Sequence, residues 1–132
     1  MSIDEKKVVI QKWVAARNSN NLEAALACWT DENHEWLRKA FHSFNTAFPD
    51  LHVTINEMIA EGDKVVASWT LTGTHRGVWS GIPATGHTIE WNATDTYTIL
   101  DGKIASLHRA ADNLALFKQL GAILRWQDQI IE

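Results

Sequence analysis

The chain has 132 residues and a formal charge of −4 at neutral pH, enough for one domain over residues 1–132 with a single core and too short to divide comfortably in two. No basic run exceeds the pairs Lys6-Lys7 and Arg38-Lys39, so the electrostatic footprint of a nucleic-acid or acidic-lipid partner is missing. No apolar stretch approaches the roughly 18 residues of a membrane span or has the layout of a signal peptide, and the lone Cys28 cannot form an internal disulfide; the expectation is a soluble, cytoplasmic protein.

Ser2 and Glu5 have the spacing of a capping box, which predicts a helix after them. Val9, Trp13 and Ala16, with Ile10 and Val14, form its apolar stripe, which ends at the cluster Asn18 to Asn21. Leu22, Ala25, Leu26 and Trp29 repeat the pattern in a shorter helix. Asp31 to Asn33 supply cap candidates for a third helix, carrying Leu37, Phe41, Phe44 and Phe48 until Pro49 stops it.

After Pro49 the period changes to two. Leu51, Val53, Ile55 and Ile59 alternate with polar residues up to a turn at Glu61, Gly62 and Asp63. Val65, Ala67, Trp69 and Leu71 form the inner face of the next strand. Residues 77 to 86 read as an apolar flap in which Trp79 and Ile82 gate ligand access. Ile89, Trp91, Ala93, Asp95, Tyr97 and Ile99 face one way along the longest strand. Asp101 and Gly102 form a hairpin turn into a strand on which Ile104, Ser106, His108 and Ala110 share a face, with Asp112 continuing the parity. The apolar tail from Leu124 to Ile131 is expected to pack on something or to mediate self-association. Helices followed by antiparallel strands predict an α+β domain whose curved sheet packs one face on the helices and encloses a pocket.

The polar residues on apolar faces are the candidate chemistry, and each has a plain structural alternative. Asp112 is either a pocket acid/base group, its pKa raised by apolar surroundings, or the N-cap of the helix that follows. His108 is its proton shuttle or a core histidine; four residues along a strand span roughly 13 Å, so direct contact needs a bend or bulge. Asp95 with Tyr97 supplies the chemical types that can donate to a developing enolate, or Asp95 is a buried structural carboxylate. His75 closes the pocket mouth or caps a bend. Trp69 and Trp91 are pocket wall, core or both, and Phe41 is a helix-stripe residue. The six histidines show no metal spacing, and no metal or cofactor is expected.

The motifs at Phe48 to Val53, Glu61 to Val66, Gly73 to Gly77, Thr85-Gly86, Asp101 to Ile104 and Gln119 to Gly121 resemble, in order, those of the SnoaL-like polyketide cyclases, in the nuclear transport factor two-like group. The resemblance implies a cone-shaped α+β barrel of N-terminal helices on a curved, mostly antiparallel sheet. It also implies ring closure by intramolecular aldol condensation without a cofactor, using an aspartate that falls on Asp112; His75 and Asp95 fall on recurrent positions. Many relatives carry tryptophan four residues before that aspartate and glutamate six before it, where this chain has His108 and Ser106, and the stretch from Thr30 to Asn33 is shorter than theirs. The expected activity is cyclase- or isomerase-like proton transfer on a hydrophobic, even polycyclic, carbonyl compound in a deep central cavity. Asp112, His108 and Asp95 are its catalytic residues; Trp69, Trp91, Trp79, His75, Tyr97, Ile82 and Phe41 contact the substrate. The rival expectation is a non-catalytic binding or interaction domain, and a third is hydroxylation or hydrolysis. The family's habit, the threonine-rich outer sheet face and the apolar tail imply a homodimer.

Overall fold

The computed structural model describes residues 1–131. Helix α1 (Ile3–Asn18) begins where Ser2 Oγ accepts from the Glu5 amide at 3.1 Å, with Asp4 and Glu5 favourably placed in the positive first turn. Asn21 caps α2 (Leu22–Ala27) by accepting from the Ala24 amide. A 3₁₀ turn (Asp31–Asn33) leads into α3 (His34–Ala47). Strands β1 (His52–Glu61), β2 (Lys64–Thr74), β3 (Thr88–Leu100) and β4 (Lys103–Ala111) form an antiparallel sheet in that order. Helix α4 (Asn113–Gln119) and a small hairpin of β5 (Leu124–Trp126) and β6 (Gln129–Ile131) complete the chain. The α+β class and the antiparallel sheet are those expected. Among the described residues no helix is long and apolar enough to cross a membrane.

The core lies between the concave sheet face and the helices: Ile10 and Trp13 from α1, Leu37 and Phe41 from α3, and Val65, Ala67, Trp69, Leu71, Trp91 and Tyr97 from the sheet. The outer face carries Thr70, Thr94, Thr96 and Thr98, the partners of Asn92, Ser68, Val66 and Lys64 across the β2–β3 ladder.

Two bulges decide which side chains reach the core, because a one-residue slip moves every later side chain to the opposite face. In β1, Ile55 pairs with Trp69 and Glu57 with Ser68, leaving Asn56 extra. Met58 and Ala60 therefore pack against the core while Ile59, expected inward, is exposed. In β4, Ile104 pairs with Ile99 and Ser106 with Thr98, leaving Ala105 extra. Beyond it Leu107, Arg109 and Ala111 lie opposite Tyr97, Asp95 and Ala93, on the inner face. His108 and Asp112 thus take the outer parity, which corrects the face assigned to them from strict alternation.

The β4 bulge is held by the short link between α2 and α3. The Ile104 amide donates to Cys28 O and the Thr30 amide to Ile104 O, which pairs this link with the strand edge. Asn33 Nδ2 donates to the carbonyl of the extra residue, Ala105, at 2.9 Å, and Asn33 Oδ1 accepts from Trp36 Nε1 at 2.8 Å. A carbonyl freed from a ladder is costly when left without a donor. Replacing Asn33 by alanine is accordingly expected to lower the unfolding free energy by about 1–3 kcal/mol in urea titration; an unchanged midpoint would show that the bulge holds without it.

Candidate active site

The inner sheet face, α1 and α3 enclose a cavity of about 60 Å³, room for roughly two water molecules at ~30 Å³ each. Its walls are apolar and rich in aromatic rings, among them Trp13, Phe41, Phe44, Trp69, Trp91 and Tyr97. Phe44 stacks on Trp91 with centroids 6.0 Å apart, and Trp69 meets Trp91 edge-on at 5.4 Å. Its exposed lining residues are Trp36 of α3 and Arg109 of β4. An apolar cavity of about 150 Å³ takes one benzene ring. At about 60 Å³ this one is narrower than the deep pocket expected, and a ring fits only if lining side chains move.

Asp95 lies in the cavity wall with 0% exposure. An isolated carboxylate there would lose several kcal/mol of hydration, and four hydrogen bonds replace it. Oδ2 accepts from Trp69 Nε1 at 2.8 Å, Tyr97 Oη at 2.8 Å and an Arg109 terminal nitrogen at 3.0 Å; Oδ1 accepts from Arg109 Nε at 2.8 Å. The indole and guanidinium can only donate. Burial, then the Asp95 charge and hydrogen bond, hold the Tyr97 phenol far above its ordinary range, so it stays protonated and donates. Burial works against the Arg109 cation, but the hydrogen bonds and charge of Asp95 outweigh it and hold Arg109 above its usual value. Arg109 also lies over Trp69, 5.0 Å from the ring centroid.

Arg17 from α1 faces the same space without such a partner. It is 7% exposed, its guanidinium carbon sits 4.2 Å from the Phe41 centroid and 5.3 Å from that of Phe44, and neither terminal nitrogen has a hydrogen-bond acceptor. Burial, and then the charge of Arg109, lower its pKa well below the ordinary arginine value, to about 10. The group is therefore charged at neutral pH, and the folded state holds that proton less tightly than the unfolded chain. The resulting penalty, on the order of 3 kcal/mol, is present below pH 10 and lifts as pH rises from about 10 toward the ordinary arginine value. Among the described residues, no three His, Cys, Asp or Glu side chains gather as a metal ion would require.

With this geometry in view, residues 7–120 match the family model of the SnoaL-like polyketide cyclases. The chain belongs to that family. Its structure is similar to that of TsrD from Streptomyces laurentii, at 28% identity over 93% of this chain and 99% of that one, TM-score 0.88. It is also similar to AclR from Streptomyces galilaeus, described as a candidate hydroxylase, at 26% identity over 91% and 87% of the two chains, TM-score 0.83. IdmH from Streptomyces antibioticus, a candidate polyketide cyclase, shares the fold at 22% identity, 89% and 99% coverage and TM-score 0.78. No curated protein matches the chain.

Of the site expected for a SnoaL-like chain, the cavity gathers Asp95, Tyr97, Trp69, Trp91 and Phe41. Asp112 is not there. It is exposed, caps α4 by accepting from the Ala115 amide at 3.1 Å, and edges a shallow outer depression with Asn92 and Thr94. His108 is exposed opposite Thr96 on the same outer face, so both leave the cavity through the Ala105 register shift. His75 is wholly buried but ties the β2–β3 crossover: its Nδ1 accepts from the Thr85 amide and its own amide donates to His87 O. Trp79 and Ile82 pair with each other; Trp79 packs behind Phe44 and Trp91 and against Phe117, a second layer outside the lining. Sequence reasoning missed Arg17, Arg109 and Trp36. Arg17 was detectable as a member of the stripe Ile10, Trp13, Arg17, and Arg109 from the conflict between Ile104 and Leu107, two apolar residues of opposite parity on one strand.

The two arginines should respond oppositely to truncation. Arg17→Met removes a buried cation that nothing in the protein neutralises and is expected to raise the unfolding free energy by about 1–2 kcal/mol. Arg109→Met leaves Asp95 short of its cation and is expected to lower it by about 2–3 kcal/mol, below the fully buried range because that side chain is 31% exposed. Urea titrations at pH 7 compare them, and equal losses would contradict this electrostatic account.

Proposed function

We propose that this SnoaL-like protein is a cofactor-independent enzyme that moves a proton at carbon in a hydrophobic carbonyl compound, in a cyclase- or isomerase-like reaction. The observation that carries this reading is Asp95: a buried carboxylate in an aromatic cavity whose Oδ1 accepts only one protein hydrogen bond, from Arg109 Nε. A carboxylate oxygen has room for a second.

In this reading the carbon next to a substrate carbonyl loses its proton to Asp95 Oδ1, and the C–H electron pair moves into the carbonyl to give an enolate. The Arg109 guanidinium beside Asp95 provides positive charge where that oxygen becomes negative, the largest usual source of stabilisation for such a step. The enolate carbon then attacks a second carbonyl of the same molecule and closes a ring, with the proton passing from Asp95 to the new alkoxide. Reprotonation at a different carbon would give an isomer instead. The family membership, and IdmH as a candidate polyketide cyclase, favour ring closure.

One observation favours the binding-domain alternative: Oδ2 of Asp95 already accepts from three donors, as a purely structural carboxylate would. Hydrogen exchange in deuterated water separates the two. Benzoylacetone and related 1,3-dicarbonyl compounds, followed by proton NMR, should exchange the hydrogens between their carbonyls faster with protein than with buffer. Folded Asp95→Asn should lose at least 100-fold of the excess, Tyr97→Phe should shift its pH dependence, and Asp112→Asn, which keeps the cap, should match the parent. No protein-catalysed exchange, or full exchange in folded Asp95→Asn, would overturn the enzymatic reading.

We also propose self-association, supported by the exposed apolar hairpin residues Leu124, Trp126, Ile130 and Ile131. Light scattering should give twice the chain mass; a particle of 14.9 kDa would contradict it.

A further inference from the structure

The cavity is rich in donors and short of acceptors. Arg17 offers two terminal nitrogens with no acceptor, and the indole nitrogen of Trp91, another lining residue, has none either. The only carboxylate in the lining, that of Asp95, is bidentate to Arg109. The three charged side chains therefore leave one positive charge uncompensated, and it is on Arg17. Aromatic faces hold that guanidinium from both Phe41 and Phe44, which attracts a cation and fixes its plane but satisfies none of its hydrogen bonds.

A guanidinium with both terminal nitrogens buried and without a partner among the described residues, oriented by aromatic contacts on a residue only 7% exposed, matches a planar two-oxygen anion, which it grips through parallel hydrogen bonds. We infer that the ligand of this cavity is a flat aromatic or conjugated molecule bearing a carboxylate, and that Arg17 is the residue that binds the carboxylate. The aromatic walls take the body of such a molecule and Arg17 its charged end; Asp95 faces the reacting part. This inference rests on the cavity being the substrate site proposed above and extends it to the substrate class: a carbonyl compound that is also an acid. The enolate of a 1,3-dicarbonyl compound also carries two oxygens, but on different carbons and farther apart than those of a carboxylate, so the two can be told apart.

Matched pairs test it by binding alone, with no turnover required. Benzoate and 2-naphthoate are compared with benzamide and 2-naphthamide by quenching of tryptophan fluorescence at pH 7, with benzoylacetone as the neutral enolisable probe. The acids should bind at least tenfold more tightly than their amides. Arg17→Met should abolish that preference while leaving amide affinity within about twofold, and Arg17→Lys, which keeps the charge without the fork, should restore part of it. Equal affinity for acid and amide, or an acid preference that survives Arg17→Met, overturns the carboxylate assignment and leaves the exchange chemistry at Asp95 untouched. Benzoylacetone binding more tightly than either acid assigns Arg17 to an enolate and likewise overturns it. Failure of every probe to bind removes the cavity as the ligand site, and this inference falls with the functional proposal.

Discussion

A carboxylate with no solvent contact, set among tryptophans on the inner face of a sheet, is the constraint around which this molecule is arranged. Asp95 can occupy that position only if donors reach it from several directions. Trp69 arrives from β2, Tyr97 from two residues along β3, and Arg109 from β4. The last of these depends on register: Arg109 lies opposite Asp95 because Ala105 is an extra residue in β4, and Ala105 is held there by Asn33. A loop residue between two helices thus fixes the chemistry of a cavity formed mainly by other elements. The aromatic stacking of the walls follows, since Trp69 and Trp91 are oriented partly by the guanidinium that lies over them.

The elements were legible from periodicity and caps because those signals are local. Ser2 and the turn residues Gly62 and Gly102 announced the first helix and the hairpins. The inner parity of β2 and β3, and with it the cavity positions of Trp69, Trp91, Asp95 and Tyr97, followed from alternation alone, since neither strand contains a bulge. The site failed to be legible where the period breaks. The one local sign of the break is the opposite parity of Ile104 and Leu107; what holds Ala105 as the extra residue is a hydrogen bond from Asn33, 72 residues earlier in the chain. Carrying the alternation through it placed Asp112 and His108 at the cavity and left Arg109 outside. Arg17 was lost for a different reason: a charged residue on a helix is ordinarily assigned to solvent, and only its spacing from Trp13 argued otherwise.

Arg17 and Arg109 show how similar side chains can serve opposite ends in one cavity. Arg109 has a counterion and holds strands together. Arg17 has none, so the fold carries an electrostatic penalty at neutral pH that a hydrophobic side chain would avoid. A fold that sustains this penalty has a binding site prepared in advance, because the desolvation of the cation is already complete when an anion arrives. The same preparation limits how stable the unliganded protein can be.

The bulge at Ala105 also bears on how such a cavity diversifies. Losing or gaining a single codon between Ile104 and Leu107 would leave the anchored start of β4 in place. It would exchange the inward set Leu107, Arg109 and Ala111 for His108, Ala110 and Asp112. A lineage could thereby trade a guanidinium for an imidazole and a carboxylate in one mutational event, without altering the order of strands or the helices that cover them.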